Sequence, residues 1–187
     1  SLNKYFLNDN IISYSKIYIT ASGGPFLNKT WNYIKNANYE LATNHPKWKM
    51  GDKNSIDSAT LSNKCLELIE AHYLFNIPFS KLDIIVHPQA LVHSIVEFDN
   101  FTTELNYFYH DMNIPIINFL LNNNLKFQKK LNYSYKFIKN SYLNFIPPNI
   151  KIFPILRIFN KIDKNKPIQI IKFNIANQFA TNLFINK

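Results

Sequence analysis

The chain has 187 residues, enough for one compact core and a small appendage. Hydrophobic residues make up 47% and aromatics 16%, which excludes a disordered chain, and a single cysteine, Cys65, excludes an internal disulfide. The net charge of +9 favours anionic partners, but no dense Lys/Arg run or nucleic-acid motif accompanies it, so a solvated lysine surface is the first account of it, and a phosphorylated metabolite would also welcome it.

In chain order, Ile17–Thr20 reads as an apolar strand ending at Ala21-Ser22-Gly23-Gly24-Pro25-Phe26. Thr30–Asn44 reads as a helix and its exit, and His45–Asn54 as a polar loop. Ser58–Phe75 is the clearest helix, with Ser58 at its N-terminus and Pro78 just past its stop. Leu82–Val86 and Val92–Phe98 read as strands, and Thr102–Phe108 returns as an antiparallel partner after a turn at Asp99-Asn100. Ile114–Leu121 is helical, with Pro115 in its first turn. Residues 122–149, rich in Asn, Lys and Tyr, read as a linker, and Lys151–Lys161 and Ile170–Asn186 as two helices of a smaller unit. The expectation is an α/β (α+β) chain. A mixed central sheet with flanking helices spans residues 1–121, a linker 122–149, and part of a small helical domain 150–187.

Isoleucine, asparagine, lysine, phenylalanine and tyrosine dominate, and Arg157 is the sole arginine. Their codons are AT-rich, so part of the basic charge reflects the gene. No apolar run approaches the roughly 20 residues of a membrane span, and Ser1–Asn10 carries no apolar signal core. Cys65 lies in an apolar helical stripe and reads as core in a reducing compartment. The chain opens on serine, from which we expect a fragment or a processed product.

The chain uses three glycines, Gly23, Gly24 and Gly51, all in two short loops. Each is expected to answer a backbone need, a positive φ or the close approach of a ligand. Ser22-Gly23-Gly24 after a strand offers a hydroxyl and N–H groups to an anion, or forms a plain turn. On the predicted helix, Asn63, Lys64 and Glu67 share one face, and Leu61, Cys65, Leu68, Ile69 and His72 the opposite one. That polar face is either solvated or a site, in which Lys64 and Asn63 grip a phosphate beside the helix start at Ser58 and Glu67 binds a hard cation. Of five histidines, His45 sits in a polar loop beside Pro46 and Trp48. His72 and His110 read as structural or surface residues, and His93 stays open between the two roles. No histidine pair has a zinc spacing.

Together these segments resemble one family. Ala21–Phe26 is similar to its SGGPF motif, His45–Gly51 to its HPxWxMG loop, and Ile56–Glu67 to its DSATxxNKxLE helix. Val86–Gln89 with Val92–Ser94 resembles its HPQxxxHS turn, and Asp111–Ile116 its PDMxxPI segment. The family is 1-deoxy-D-xylulose 5-phosphate reductoisomerase. The resemblance implies conversion of that sugar phosphate to 2-C-methyl-D-erythritol 4-phosphate with NADPH and Mg²⁺ or Mn²⁺. It also implies a homodimer with no nucleic-acid or membrane partner, in a bacterial cytoplasm or a plastid. Ser22, His45, Ser58, Asn63, Lys64 and Glu67 are then substrate-binding, Glu67 also the metal ligand, Gly51 and Met112 cofactor-binding, and Glu67, His93 and Trp48 catalytic, Trp48 as the lid of a closing flap.

There are departures from the family. No GxGxxG fingerprint occurs, and nothing before Ser22 supplies the family's two further metal carboxylates or its substrate lysine. Cys65 replaces a small residue, His110 a proline and Gln178 a glutamate. The alternative is a truncated, non-catalytic remnant that serves only as a phosphate-binding or dimerisation module.

Overall fold

The structure is a computed structural model that describes residues 13–45, 50–108, 111, 113–120 and 142–186. Its centre is a sheet whose strands alternate as half-buried strands must. In β1 (Tyr14–Ala21) the side chains of Ile17, Ile19 and Ala21 are buried. In β2 (Leu82–Val86) Leu82, Ile84 and Val86 are buried and Asp83 is exposed. β3 (Val92–Phe98) and β4 (Thr103–Tyr107) form a hairpin.

The strand order is β2-β1-β3-β4. β1 and β2 are parallel, in register from Ile17↔Leu82 to Ala21↔Val86, while β3 runs antiparallel to β1 and β4. A parallel pair needs a helical crossover, and residues 22–81 supply it. The mixed sheet is the expected one. β2 and β3 have the expected bounds, while β1 starts earlier and β4 is slightly shorter.

The helices depart more from expectation. Thr30–Asn44 is not one helix but two, α1 (Trp31–Lys35) and α2 (Tyr39–Thr43). Thr30 Oγ1 accepts from Tyr33 N–H at 3.3 Å, and Asn38 Oδ1 from Leu41 N–H at 3.0 Å. Asn38 competes better as a cap than as an interior helical residue, so the second helix restarts there. The expected His45–Asn54 loop is also shorter, because α3 (Asp52–Thr60) begins at the Gly51 N-cap.

The helix expected over Ser58–Phe75 is interrupted. α3 ends at Leu61, which is buried and left-handed with φ 63, and α4 (Ser62–Phe75) starts beyond it. Thr60 Oγ1 donates to Ile56 O at 3.0 Å and shares a 2.8 Å bond with Ser62 Oγ. Such local side-chain bonds offer the backbone an alternative to the helical ladder. Ser58 therefore lies in the last turn of α3, not at a helix N-terminus, and that expectation is corrected. The N-terminal turn that faces the site belongs to α4 and carries Asn63 and Lys64.

α4 packs on the sheet as expected, with Leu61, Cys65 and Leu68 buried and Ile69 partly so. Burial pushes the Cys65 thiol up to about 12, as befits a core residue rather than a nucleophile. α5 (Asn113–Leu120) follows β4. α6 (Pro154–Lys161) and α7 (Pro167–Ile185) each start on proline, whose missing N–H costs nothing in a first turn. Leu156, Phe159 and Phe173 from these helices enter the same hydrophobic cluster as Ile17 and Cys65. Part of the stretch read as linker also packs on the sheet. Ile146 and Val86 exchange two backbone hydrogen bonds, each 2.8 Å.

Candidate functional site

The site forms where β1 ends. The chain turns through Gly23 (φ 88) and Gly24 (φ 62), left-handed values that glycine adopts without penalty. A Cβ on Gly24 would lie 2.9 Å from Ser58 O and 3.2 Å from Ala59 Cα. Glycine therefore lets this loop press on the end of α3, which brings Ser22 and Ser58 to one place. Gly51 does not share this need. Its φ is −63, and a Cβ there would meet no described atom within 4 Å, so neither a positive φ nor crowding by the described residues calls for glycine at that position.

Ser22 Oγ accepts from Gly24 N–H at 3.3 Å and shares a 3.2 Å hydrogen bond with His45 Nε2. His45 is half-buried. Its pKa is lowered from the usual imidazole value, first by burial and then by the positive charge of Lys64. The second cause puts the Lys64 ammonium within electrostatic reach of the His45 ring. Lys64 Nζ donates to Glu67 Oε1 at 2.7 Å and to Oε2 at 2.8 Å, while Asn63 Nδ2 donates to Oε1 at 2.5 Å.

Ser22 and His45 thus form one bonded pair and Asn63, Lys64 and Glu67 a second bonded cluster, whose Lys64 acts electrostatically on His45, and the Ser58 carbonyl lies against the glycine turn. The group offers an ammonium, an amide, a hydroxyl, an imidazole and the dipole of the α4 start, the donor set that a phosphate takes. It offers one carboxylate. Among the described residues no three His, Cys, Asp or Glu side chains stand where they would share a metal ion. A tight hard-cation site wants several oxygens, so Glu67 fits a metal only as one ligand among others.

His93 lies on β3. Its Nε2 donates to Phe108 O at 3.0 Å, and its ring stacks on Phe108 with centroids 3.7 Å apart. His72 is structural, as expected, bonded to Ile77 O at 2.7 Å and stacked on Phe79. Trp48, Met112 and His110 lie outside the described residues. So do Pro46 to Lys49 of the expected flap.

Sequence reasoning passed over two groups. Asp57 is 1% exposed and holds Lys53 Nζ at 2.5 Å and Asn177 Nδ2 at 2.9 Å. Its spacing from Lys53, one helical turn, was a readable signal, but its bond to Asn177 was not. His87, fully buried, donates from Nδ1 to Asn144 O at 2.8 Å, and Gln89 Nε2 donates to Asn144 Oδ1 at 2.6 Å. No local pattern announces a partner so distant in sequence.

The fold defines a class, an α/β domain built on a mixed four-stranded sheet with flanking helices, with the candidate site at a strand-to-helix crossover. Residues 2–75 match the family model described as 1-deoxy-D-xylulose 5-phosphate reductoisomerase C-terminal domain. The chain is 40% identical over 172 residues to the 1-deoxy-D-xylulose 5-phosphate reductoisomerase of Sulfurihydrogenibium sp. (strain YO3AOP1), covering 92% of this chain and 45% of that protein. It is 37% identical over 188 residues to the apicoplastic reductoisomerase of Plasmodium falciparum (isolate 3D7), covering 96% of this chain and 37% of that one. Among solved structures, the Zymomonas mobilis reductoisomerase in complex with NADPH matches all of this chain and 47% of its own, with a TM-score of 0.81 at 32% identity. A DOX-P reductoisomerase in complex with NADPH, fosmidomycin and magnesium matches 93% of this chain and 42% of its own, with a TM-score of 0.77 at 32% identity. The chain belongs to the 1-deoxy-D-xylulose 5-phosphate reductoisomerase family. It spans less than half the length of the curated relatives it matches.

Proposed function

We propose that this chain is the substrate-binding part of an NADP-dependent reductoisomerase that converts 1-deoxy-D-xylulose 5-phosphate to 2-C-methyl-D-erythritol 4-phosphate. The observation that carries the reading is the grouping of Asn63 and Lys64 on Glu67 at the start of α4, with the Ser22–His45 hydrogen bond at the end of β1. Lys64, Asn63, Ser22 and Ser58 hold the phosphate end. His45 stays neutral until an anion arrives and then donates to it. Glu67 would give one oxygen to a divalent cation, Mg²⁺ or Mn²⁺, which would need further ligands than the described residues bring together there. When bound, the cation would polarise the sugar's vicinal oxygens and NADPH would supply hydride. In this reading Trp48 closes over the substrate, His93 stands near the reacting carbons, and Gly51 and Met112 border the nicotinamide.

The domain assignment proposed is a catalytic unit over 1–121, a connecting stretch over 122–149 and a helical unit from 150. As partner we propose a second copy. β4 is the outermost strand on its side of the sheet, and Leu105 and Tyr107 on it are exposed, as is Phe101 at the hairpin tip. Such an edge invites a strand from another chain. No helix among the described residues is long and apolar enough to cross a membrane. The compartment proposed is a bacterial cytoplasm, with a plastid as the alternative.

NADPH oxidation with 1-deoxy-D-xylulose 5-phosphate and Mg²⁺ or Mn²⁺ tests the reading. We expect turnover from the full-length protein and none from a polypeptide of these 187 residues. A folded, metal-loaded full-length protein without turnover would favour the second reading, a remnant that binds phosphate only. The observation favouring that reading is Lys64 closed on Glu67, the one carboxylate of the group.

A further inference from the structure

We infer that the Asp57–Asn177 pair is a positioning device that couples α7 to the anion site. The inference rests on the phosphate-binding reading above and extends it to a helix that does not itself reach the site. Asp57 is a carboxylate with almost no exposure, and an ionised carboxylate so placed must be fully satisfied. Its Oδ2 meets Lys53 Nζ at 2.5 Å. Its Oδ1 accepts from Asn177 Nδ2 at 2.9 Å and from Thr181 Oγ1 at 3.4 Å. Two of the three donors therefore come from one face of α7, four residues apart, more than a hundred residues along the chain.

The next residue is Ser58, and its carbonyl is the atom that a Cβ on Gly24 would strike at 2.9 Å. Gly24 N–H in turn donates to Ser22 Oγ, which is bonded to His45. A contact path thus runs from α7 through Asp57, Ser58 and Gly24 to Ser22 and His45. Gly24 comes so near to Ser58 that there is no room for a Cβ between them, so a shift of the α3 end toward the turn presses on it. Asp57 touches no substrate in this arrangement. It fixes where the end of α3 stands, and so where the glycine turn and Ser22 stand beside it.

The test uses the full-length protein, with three variants measured for folding, inorganic phosphate affinity and the kcat and KM of the sugar phosphate. Asn177→Ala and the milder Thr181→Val should raise the phosphate Kd and the KM together, roughly 3- to 30-fold for the first and less for the second, with kcat nearly unchanged. The exchanged pair Asp57→Asn with Asn177→Asp keeps an amide facing a carboxylate and should recover most of the affinity. Variants that only lose thermal stability, with Kd and KM unchanged, overturn the inference, and so does a loss confined to kcat. Failure of the unmodified protein to bind phosphate would instead overturn the phosphate reading itself.

Discussion

Lys64 and Glu67 sit one helical turn apart on α4, and the ammonium spans both carboxylate oxygens, at 2.7 and 2.8 Å. The side chains are only 20% and 29% exposed. Glu67 therefore competes with any phosphate for the same cation. In Glu67→Gln the competition is relieved. Partly exposed pairs are worth up to about 1 kcal/mol, so inorganic phosphate should bind up to about fivefold more tightly, while metal-dependent turnover collapses. Calorimetric titration with phosphate, beside the NADPH assay, separates the two effects. Weaker phosphate binding would show that Glu67 serves the anion rather than opposing it.

Lys64→Ala should act the other way. A hydrogen bond from a charged donor contributes about 1.5–3 kcal/mol, which corresponds to a rise of roughly 10- to 100-fold in the KM for the sugar phosphate. The kcat should fall less than kcat/KM, because the phosphate is held alike in ground and transition states. Steady-state kinetics checks this, and an unchanged KM would remove Lys64 from the site.

His45 gives a pH signature. Its pKa is held below the usual 6.5 by burial and by Lys64. The unfolded chain then binds the proton more readily. The contribution of His45 to stability is full above that value and is lost as pH falls below it. A bound phosphate offsets the charge of Lys64 and raises the His45 pKa. Phosphate binding near pH 6 should accordingly take up protons. Titrations in two buffers of different ionisation enthalpy measure the uptake, which His45→Gln should abolish.

Leu61 combines burial with a left-handed backbone, φ 63, and the two can be separated. Leu61→Ala should cost about 2–5 kcal/mol through lost packing. Leu61→Gly loses the same side chain but escapes the left-handed penalty of roughly 1–2 kcal/mol. Glycine should thus be the milder change here, whereas inside an ordinary helix it is worse than alanine by about 1 kcal/mol. Urea midpoints of the two variants decide it.

Strands were the most legible part of the sequence. Leu82–Val86 and Val92–Phe98 alternate or run apolar between clear turn residues, so their bounds could be read directly. The grouping of Asn63, Lys64 and Glu67 was equally readable, because helical spacing alone puts them together. The break at Leu61 was not, since Leu61 falls on the same helical face as Cys65 and Leu68 and so reads as part of their helix, and only the side chains of Thr60 and Ser62 betray it. The same break hid the true situation of Ser58. Nor could periodicity reveal that Asp57 is anchored by Asn177, or that His87 is anchored by Asn144. Those bonds join residues far apart in sequence, and only the folded core brings them within reach.

The strand-like segment around Ile146 has a consequence for assembly. By bonding to Val86, and with His87 and Gln89 holding Asn144, it lies along the outer side of β2, where Asp83 also points to solvent. Among the described residues the outer edge of β2 is therefore already occupied at Val86. A peptide that sought to pair with that edge through its backbone would first have to displace the two hydrogen bonds to Ile146, so the tie that holds this segment also guards the edge against unwanted strand addition.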